Sequence, residues 1–262
     1  MAREPGRPCR VAQTSGGGNL KLNGRVALVT GAGRRLGQAF AVALGREGMR
    51  VAVHYNNSVD GAEQTAASIR NAGGEAVLFR ANLGQPDAPA TLVGDVAARL
   101  GSLSVVINSA AVMERTPVGE VTAEHWDSMF ALNLRAPFFI CQAAAPLMKA
   151  DGGAIINIAD LAAFESWPSY IPHSVSKAGL VRMTSSLAKA LAPAVRVNGI
   201  APGTVLLPEG WDPSAADRLV STTPLGRLGG PEDVVGAMLY LLKADYVTGE
   251  TLIVDGGRHI RK

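Results

Sequence analysis

The sequence predicts one α/β domain built on a doubly wound, parallel seven-stranded sheet. Three observations predict it. Short apolar runs rich in β-branched residues alternate with stretches of helical periodicity from Gly24 to Gly257. A glycine-rich turn joins the first run to the first periodic stretch. No linker-like change of composition interrupts the series, so a second domain is not required. Strand–helix alternation implies right-handed crossovers, parallel strands and ligands at the strand C-termini.

Taken in order, residues 26–30 form the first apolar run, and Leu36, Phe40 and Leu44 recur at helical spacing in a segment reaching Gly48. Gly31 and Gly33 lie between the two and permit a tight turn. Gly37 lets the helix lie close to the sheet, and the helix N-terminus aims free N–H groups at a pyrophosphate. This is a Rossmann-like phosphate cradle. Strands follow at 50–55, 76–80 and 104–108, separated by helices near 62–72 and 89–100. The second half predicts a helix near 123–149, strand 154–158, helix 172–191, strand 196–200, helix 232–242 and strand 251–254. Residues 1–22 carry Pro5, Gly6, Pro8 and glycines 16–18 without periodicity, so they are expected to be a disordered extension. The domain proper is expected over 23–262.

Composition narrows the function classes. With 262 residues, 47% of them hydrophobic and 18% charged, the chain can bury a large core. The net charge of +3 comes partly from Arg3, Arg7, Arg10 and Lys21, which leaves the body near neutral. No basic stripe suggests a nucleic-acid partner. The two cysteines, Cys9 and Cys141, offer neither a disulfide framework nor metal-ligand spacing, and Cys141 reads as a core residue. No signal-like or membrane-spanning run is seen. A cytoplasmic protein without metal or membrane partner is expected.

Several motifs occur together in one order: Thr30-Gly-Ala-Gly-Arg-Arg-Leu-Gly37, Asn108-Ser-Ala-Ala111, Asn133, the Lys177 helix, Asn198-Gly-Ile-Ala-Pro-Gly203 and Val254-Asp-Gly-Gly257. In this the chain resembles the short-chain dehydrogenases/reductases over nearly all of its length after the leader. Arg35 at the usual glycine, His54-Tyr55 ending the second strand, Asp160 after the fifth and Asp255-Gly-Gly-Arg-His-Ile260 make it most similar to pteridine and dihydromonapterin reductases. The resemblance implies hydride transfer from a nicotinamide cofactor to a pterin or a related planar C=N or C=O compound. It also implies a homodimer or homotetramer, paired through helices 123–149 and 172–191, where Phe138, Phe139, Leu147, Leu180, Met183 and Leu187 supply apolar surface.

The resemblance implies that Gly31, Arg34, Arg35 and Gly37 hold the cofactor phosphates and that Lys177 binds ribose hydroxyls. Further cofactor contacts are expected from Leu36, His54, Tyr55, Asn56, Asn57, Ser58, Asn82, Leu83, Asn108, Ser109, Ala110, Pro202, Gly203 and Val205, with Asn82 near the adenine. NADPH rather than NADH follows from charge. An acid after the second strand would bind ribose hydroxyls and repel a 2′-phosphate, but none occurs before Asp60. His54, Asn57 and Ser58 can donate to that phosphate, and Arg34 adds a full charge.

Catalysis is expected at Asp160, His173, Lys177 and Asn133. Family members commonly use a Ser or Thr, a Tyr and a Lys four residues later, the last two on one helix face. Here Asp160 stands at the Ser position, where it can relay a proton, and counting back from Lys177 reaches His173 instead of Tyr. Imidazole can replace phenol as proton donor, with Asn133 positioning a water near Lys177. Alternatively, His173 merely fills space in a weak or silent NADP(H)-binding sensor, and a carbonyl reductase of the 3-oxoacyl type is a further reading. Tyr170 is expected to face away. Met113 stands where pteridine reductases carry an aromatic, and Phe164, Trp167 and Trp211 could line the cleft.

Overall fold

Seven strands, β1 (Val26–Val29), β2 (Arg50–Tyr55), β3 (Glu75–Arg80), β4 (Leu103–Asn108), β5 (Gly153–Ile158), β6 (Val195–Pro202) and β7 (Thr251–Val254), form one sheet in a computed structural model that describes residues 20–207 and 213–260. Their order is β3-β2-β1-β4-β5-β6-β7, with all neighbours parallel. The chain winds outward from β1 to β3, then returns to β4 and winds the other way. The reversal opens a crevice beyond the C-terminal ends of β1 and β4, where such sheets bind ligands. Residues 1–19, including Cys9, and Trp211 lie outside the described residues.

Strands β1, β4 and β5 are buried at every position, which explains why they read as continuous apolar runs. On one face, α1 (Arg35–Arg46), α2 (Val59–Asn71) and α8 (Pro231–Lys243) bury Phe40, Leu44, Ile69, Met238 and Leu241. The opposite core holds Leu92 and Val96 of α3 (Ala88–Leu100), Ile140 and Met148 of α5 (Ala136–Met148) and Ala188 of α6 (Ile171–Leu191). Cys141 lies in this second core, and burial pushes its thiol up to about 12. That makes it an inert packing residue.

Three boundaries differ from expectation. The helix expected over 123–149 is broken into α4 (Ala123–Phe130), a π-helical turn at Ala131–Arg135 and α5. The wider turn inserts Asn133 toward the crevice side chains, a tertiary demand that local periodicity does not encode. Helix α7 (Pro213–Ser221) forms in a stretch where no element was expected. Leu22, placed in the extension by composition, is buried in the first core with Leu20 packed against it, so the fold begins earlier than residue 23. Among the described residues no helix is long and apolar enough to cross a membrane.

Candidate active site

The glycine turn is clamped between two strand ends. Thr30 leaves β1 with its N–H on the Ile107 carbonyl at 3.0 Å, and its Oγ1 accepts the N–H groups of Ser109 and Ala110, each at 3.0 Å. Gly31 then takes φ +67°, and a Cβ there would lie 2.9 Å from Ala110 Cα. Only glycine fits. From the other side, His54 Nδ1 accepts the Gly31 N–H at 3.1 Å and the His54 carbonyl accepts the Ala32 N–H at 2.8 Å. A Cβ on Gly37 would run into the Gly31 carbonyl oxygen. Helix α1 therefore starts tight against the turn, has no acid in its first turn, and presents a positive N-terminus to the crevice. A cradle closed to side chains, lined by backbone N–H groups and followed by Arg34, fits a dinucleotide pyrophosphate.

Across the crevice, α6 carries His173 and Lys177 on one face. Pro172, in its first turn, needs no intrahelical N–H partner, which lets the helix begin just before the two. Asp160 follows β5 and caps the short turn Leu161–Ala163: its Oδ1 accepts the Ala162 N–H at 2.9 Å, while Oδ2 lies 3.7 Å from His173 Nε2. His173 is 2% exposed. Its Nδ1 lies 3.2 Å from the Val112 carbonyl, an acceptor that selects the Nδ1–H tautomer, and 3.5 Å from Asn133 Nδ2, whose shorter bonds run to Val112 and Ser176. Nε2 is then bare, buried and without a hydrogen-bond partner among the described residues.

Two neighbours fix this arrangement. Asn133 grips Val112 with both ends of its amide, Oδ1 accepting the N–H at 2.9 Å and Nδ2 donating to the carbonyl at 2.9 Å. Its Nδ2 also donates to Ser176 Oγ at 3.2 Å, and Ser176 donates to the His173 carbonyl at 2.7 Å. Lys177 Nζ donates to the Ile158 carbonyl at 2.8 Å. Burial pulls the Lys177 ammonium down to about 8, against the opposing pull of the Asp160 charge. The cluster thus combines a basic imidazole nitrogen, a carboxylate and an ammonium at the strand C-termini.

The profile of the enoyl-(acyl carrier protein) reductase family matches residues 31–259. The chain belongs to the short-chain dehydrogenase/reductase family. It is 36% identical over 241 residues to the 3-oxoacyl-(acyl-carrier-protein) reductase of Synechocystis sp., covering 90% of this chain and 97% of that protein. It is also 34% identical over 245 residues to 3beta-hydroxysteroid dehydrogenase 1 of Eggerthella lenta, covering 90% and 94%. Among solved structures, FolM alternative dihydrofolate reductase 1 from Brucella canis, complexed with NADP, superposes with a TM-score of 0.87 at 32% identity, covering 92% of this chain and 96% of that one.

Within this short-chain reductase fold, several expected ligand contacts are spent elsewhere. Arg35, expected on a phosphate, has φ +54° and sends its guanidinium to the Leu206 and Leu207 carbonyls at 2.8 and 3.2 Å. The left-handed backbone turns the side chain toward the segment leaving β6. His54, expected to donate to the 2′-phosphate, is 2% exposed with both ring nitrogens on backbone groups, so it cannot do so. The Leu83 side chain lies in the second core, and Asn108 is a buried strut whose Nδ2 donates to Asn157 Oδ1 at 2.8 Å. Asn82 uses its Oδ1 on the Gly84 N–H at 3.1 Å, leaving its amide nitrogen to donate. The Asn133 amide is committed to Val112, not to a water beside Lys177.

The remaining expected contacts stay at the crevice. Arg34, Asn56 and Asn57 are exposed, Tyr55 and Ser58 half-buried, and Ser58 Oγ donates to the Gly33 carbonyl at 3.3 Å. Leu36 and Val205 pack half-buried against the first core; Pro202 ends β6, and the Gly203 N–H bonds the Val254 carbonyl at 2.8 Å. Met113 and Phe164 are exposed beside the cluster in the chain. The Trp167 and Tyr170 rings meet edge to face at 6.1 Å, which occupies the nearest tyrosine with packing. Sequence reasoning missed Thr30 and Ser176 as supports, although both sit inside motifs that it used. It could not find the Val112 carbonyl, because a backbone acceptor leaves no residue-type signal.

Proposed function

We propose that this protein is an NADPH-dependent reductase acting on a pterin or related planar C=N or C=O compound, with His173 standing in for tyrosine as proton donor. One observation carries the reading: the buried Nε2 of His173 has no hydrogen-bond partner among the described residues, lies 3.7 Å from Asp160 Oδ2 and is one helical turn from Lys177. An orphaned buried nitrogen is costly unless a ligand or a proton completes it. When bound, the nicotinamide supplies the hydride. Lys177 binds ribose hydroxyls from the crevice floor. His173 protonated at Nε2 is held against Asp160 Oδ2, and giving that proton to the substrate returns a neutral ring with Nδ1–H on the Val112 carbonyl. The Val112 carbonyl keeps Nδ1 protonated throughout, so transfer is confined to Nε2. Asp160, whose side chain is 27% exposed, relays the replacement proton from solvent.

NADPH is favoured because no acid ends β2 and because Arg34 and the polar run Asn56–Asn57–Ser58 border the turn. The NADP-bound FolM structure supports both cofactor and substrate class. A second reading, a 3-oxoacyl-type carbonyl reductase, is favoured by Met113 in place of a stacking aromatic and by the Synechocystis relative. Titration with NADPH and NADH, followed by assays with dihydropterins and 3-oxoacyl thioesters, separates the readings. Tight nucleotide binding with no turnover of any carbonyl or pterin would instead indicate a silent sensor. For assembly, the groove between Phe130, Leu134, Phe138 and Met183 supports a homodimer or homotetramer.

A further inference from the structure

We propose that His54 is a positioning residue of the nucleotide site, setting the glycine turn through its ring and acting alike on every dinucleotide that shares the pyrophosphate. The proposal rests on the cofactor reading above and goes beyond it by assigning the role of a residue that touches no ligand. Strand β2 ends beside the turn, and its register with β3 pairs His54 with Phe79. From there the ring spans two backbones: Nδ1 accepts the Gly31 N–H at 3.1 Å, and Nε2 reaches the Ala81 carbonyl at 3.1 Å.

Because a backbone N–H can only donate and a carbonyl can only accept, the two contacts force one tautomer, with the proton on Nε2. Burial holds the ring down to about 4, so it is neutral at physiological pH and Nδ1 stays an acceptor. The turn is thereby fixed from both flanks. Thr30 Oγ1 gathers the N–H groups of Ser109 and Ala110 on the β4 side, and His54 gathers that of Gly31 on the β2 side. A side chain at Gly31 is excluded by Ala110, so the turn is oriented by hydrogen bonds, with the Ala32 N–H on the His54 carbonyl at 2.8 Å beside the imidazole contact to Gly31. The ring is too deeply placed to meet a 2′-phosphate, so discrimination between NADPH and NADH falls to other residues.

The test compares wild-type protein with His54→Asn and His54→Gln by fluorescence titration with NADPH and NADH. Asparagine places its oxygen near the position of Nδ1 and keeps the acceptor for Gly31; glutamine reaches only the position of Nε2. His54→Asn should bind both nucleotides within about threefold of wild type, and His54→Gln should lose about tenfold for both, leaving the NADPH/NADH ratio unchanged. Nitrogen-15 NMR of the wild-type imidazole should give the Nε2–H tautomer, a readout that does not depend on either variant folding. Loss confined to NADPH would overturn the proposal by placing the ring on the 2′-phosphate. Equal weakening by both variants, no weakening by either, or an Nδ1–H tautomer would also overturn it. If wild-type protein binds neither nucleotide, the cofactor reading itself fails.

Discussion

His173 and Lys177 hold opposite places in the energetics of the crevice. His173 is buried with Nδ1 beside the Val112 carbonyl and Nε2 without a hydrogen-bond partner among the described residues, a cost that the proposed proton transfer at Nε2 accounts for. His173→Ala should lower turnover by roughly two to four powers of ten while leaving NADPH affinity near wild type, as single-turnover and binding measurements would check. Lys177 is buried as a cation. Its folded value near 8 lies below the ordinary 10.5, so between those limits the unfolded chain binds more protons than the native state, and stability rises with pH. Lys177→Met removes the charge and the titration. The stability of wild type relative to that variant should therefore climb between about pH 8 and about pH 10.5, by an amount on the order of a few kcal/mol, and scanning calorimetry across that range would show it as a rising melting temperature.

Helix α1 opens with a residue in an uncommon conformation. Arg35 at φ +54° pays about 1–2 kcal/mol for its left-handed backbone, offset in part by the two carbonyls it reaches across the crevice mouth. Replacing it with glycine or alanine removes the same side-chain bonds, so the pair isolates the backbone term. In an ordinary helical position glycine is less stable than alanine by about 1 kcal/mol. Here the order should reverse, Arg35→Gly exceeding Arg35→Ala by about 1 kcal/mol in chemical denaturation. The π-helical turn at Ala131–Arg135 has a similar logic: it gives up regular helix to bring Asn133 onto Val112, whose carbonyl in turn orients His173.

At the scale of the whole molecule, Phe130, Leu134, Phe138 and Met183 line a groove between α4, the π-helical turn, α5 and α6, edged by Asp127 and Arg135. Phe138 and Phe139 are 38% and 37% exposed, whereas Leu180 is in the core at 1%, and Leu147 and Leu187 pack half-buried against the second core. The proposed assembly surface is thus narrower than the helical pattern suggests, with Phe138 alongside Phe130, Leu134 and Met183. Light scattering at micromolar concentration should give a dimer or tetramer, and Phe138→Glu should shift it toward monomer by burying an unpaired charge in the contact. A wild-type monomer would remove this reading.

Local pattern accounts for seven apolar runs as seven parallel strands, for glycines where a Cβ would strike Ala110 or the Gly31 carbonyl, and for the four-residue spacing that puts His173 and Lys177 on one helix face. The sequence also showed that no acid ends β2, which is the chemistry behind the cofactor choice. Tertiary structure decided where side chains of known type spend their bonds. His54 and Arg35 both read as phosphate ligands, yet one is drawn inward by the Gly31 N–H and the Ala81 carbonyl and the other across to Leu206 and Leu207. The break in helix 123–149 and the burial of Leu22 likewise depend on partners distant in the chain. Backbone donors and acceptors carry no residue identity, so the groups that orient His173 and His54 exist only once the strands have been brought side by side.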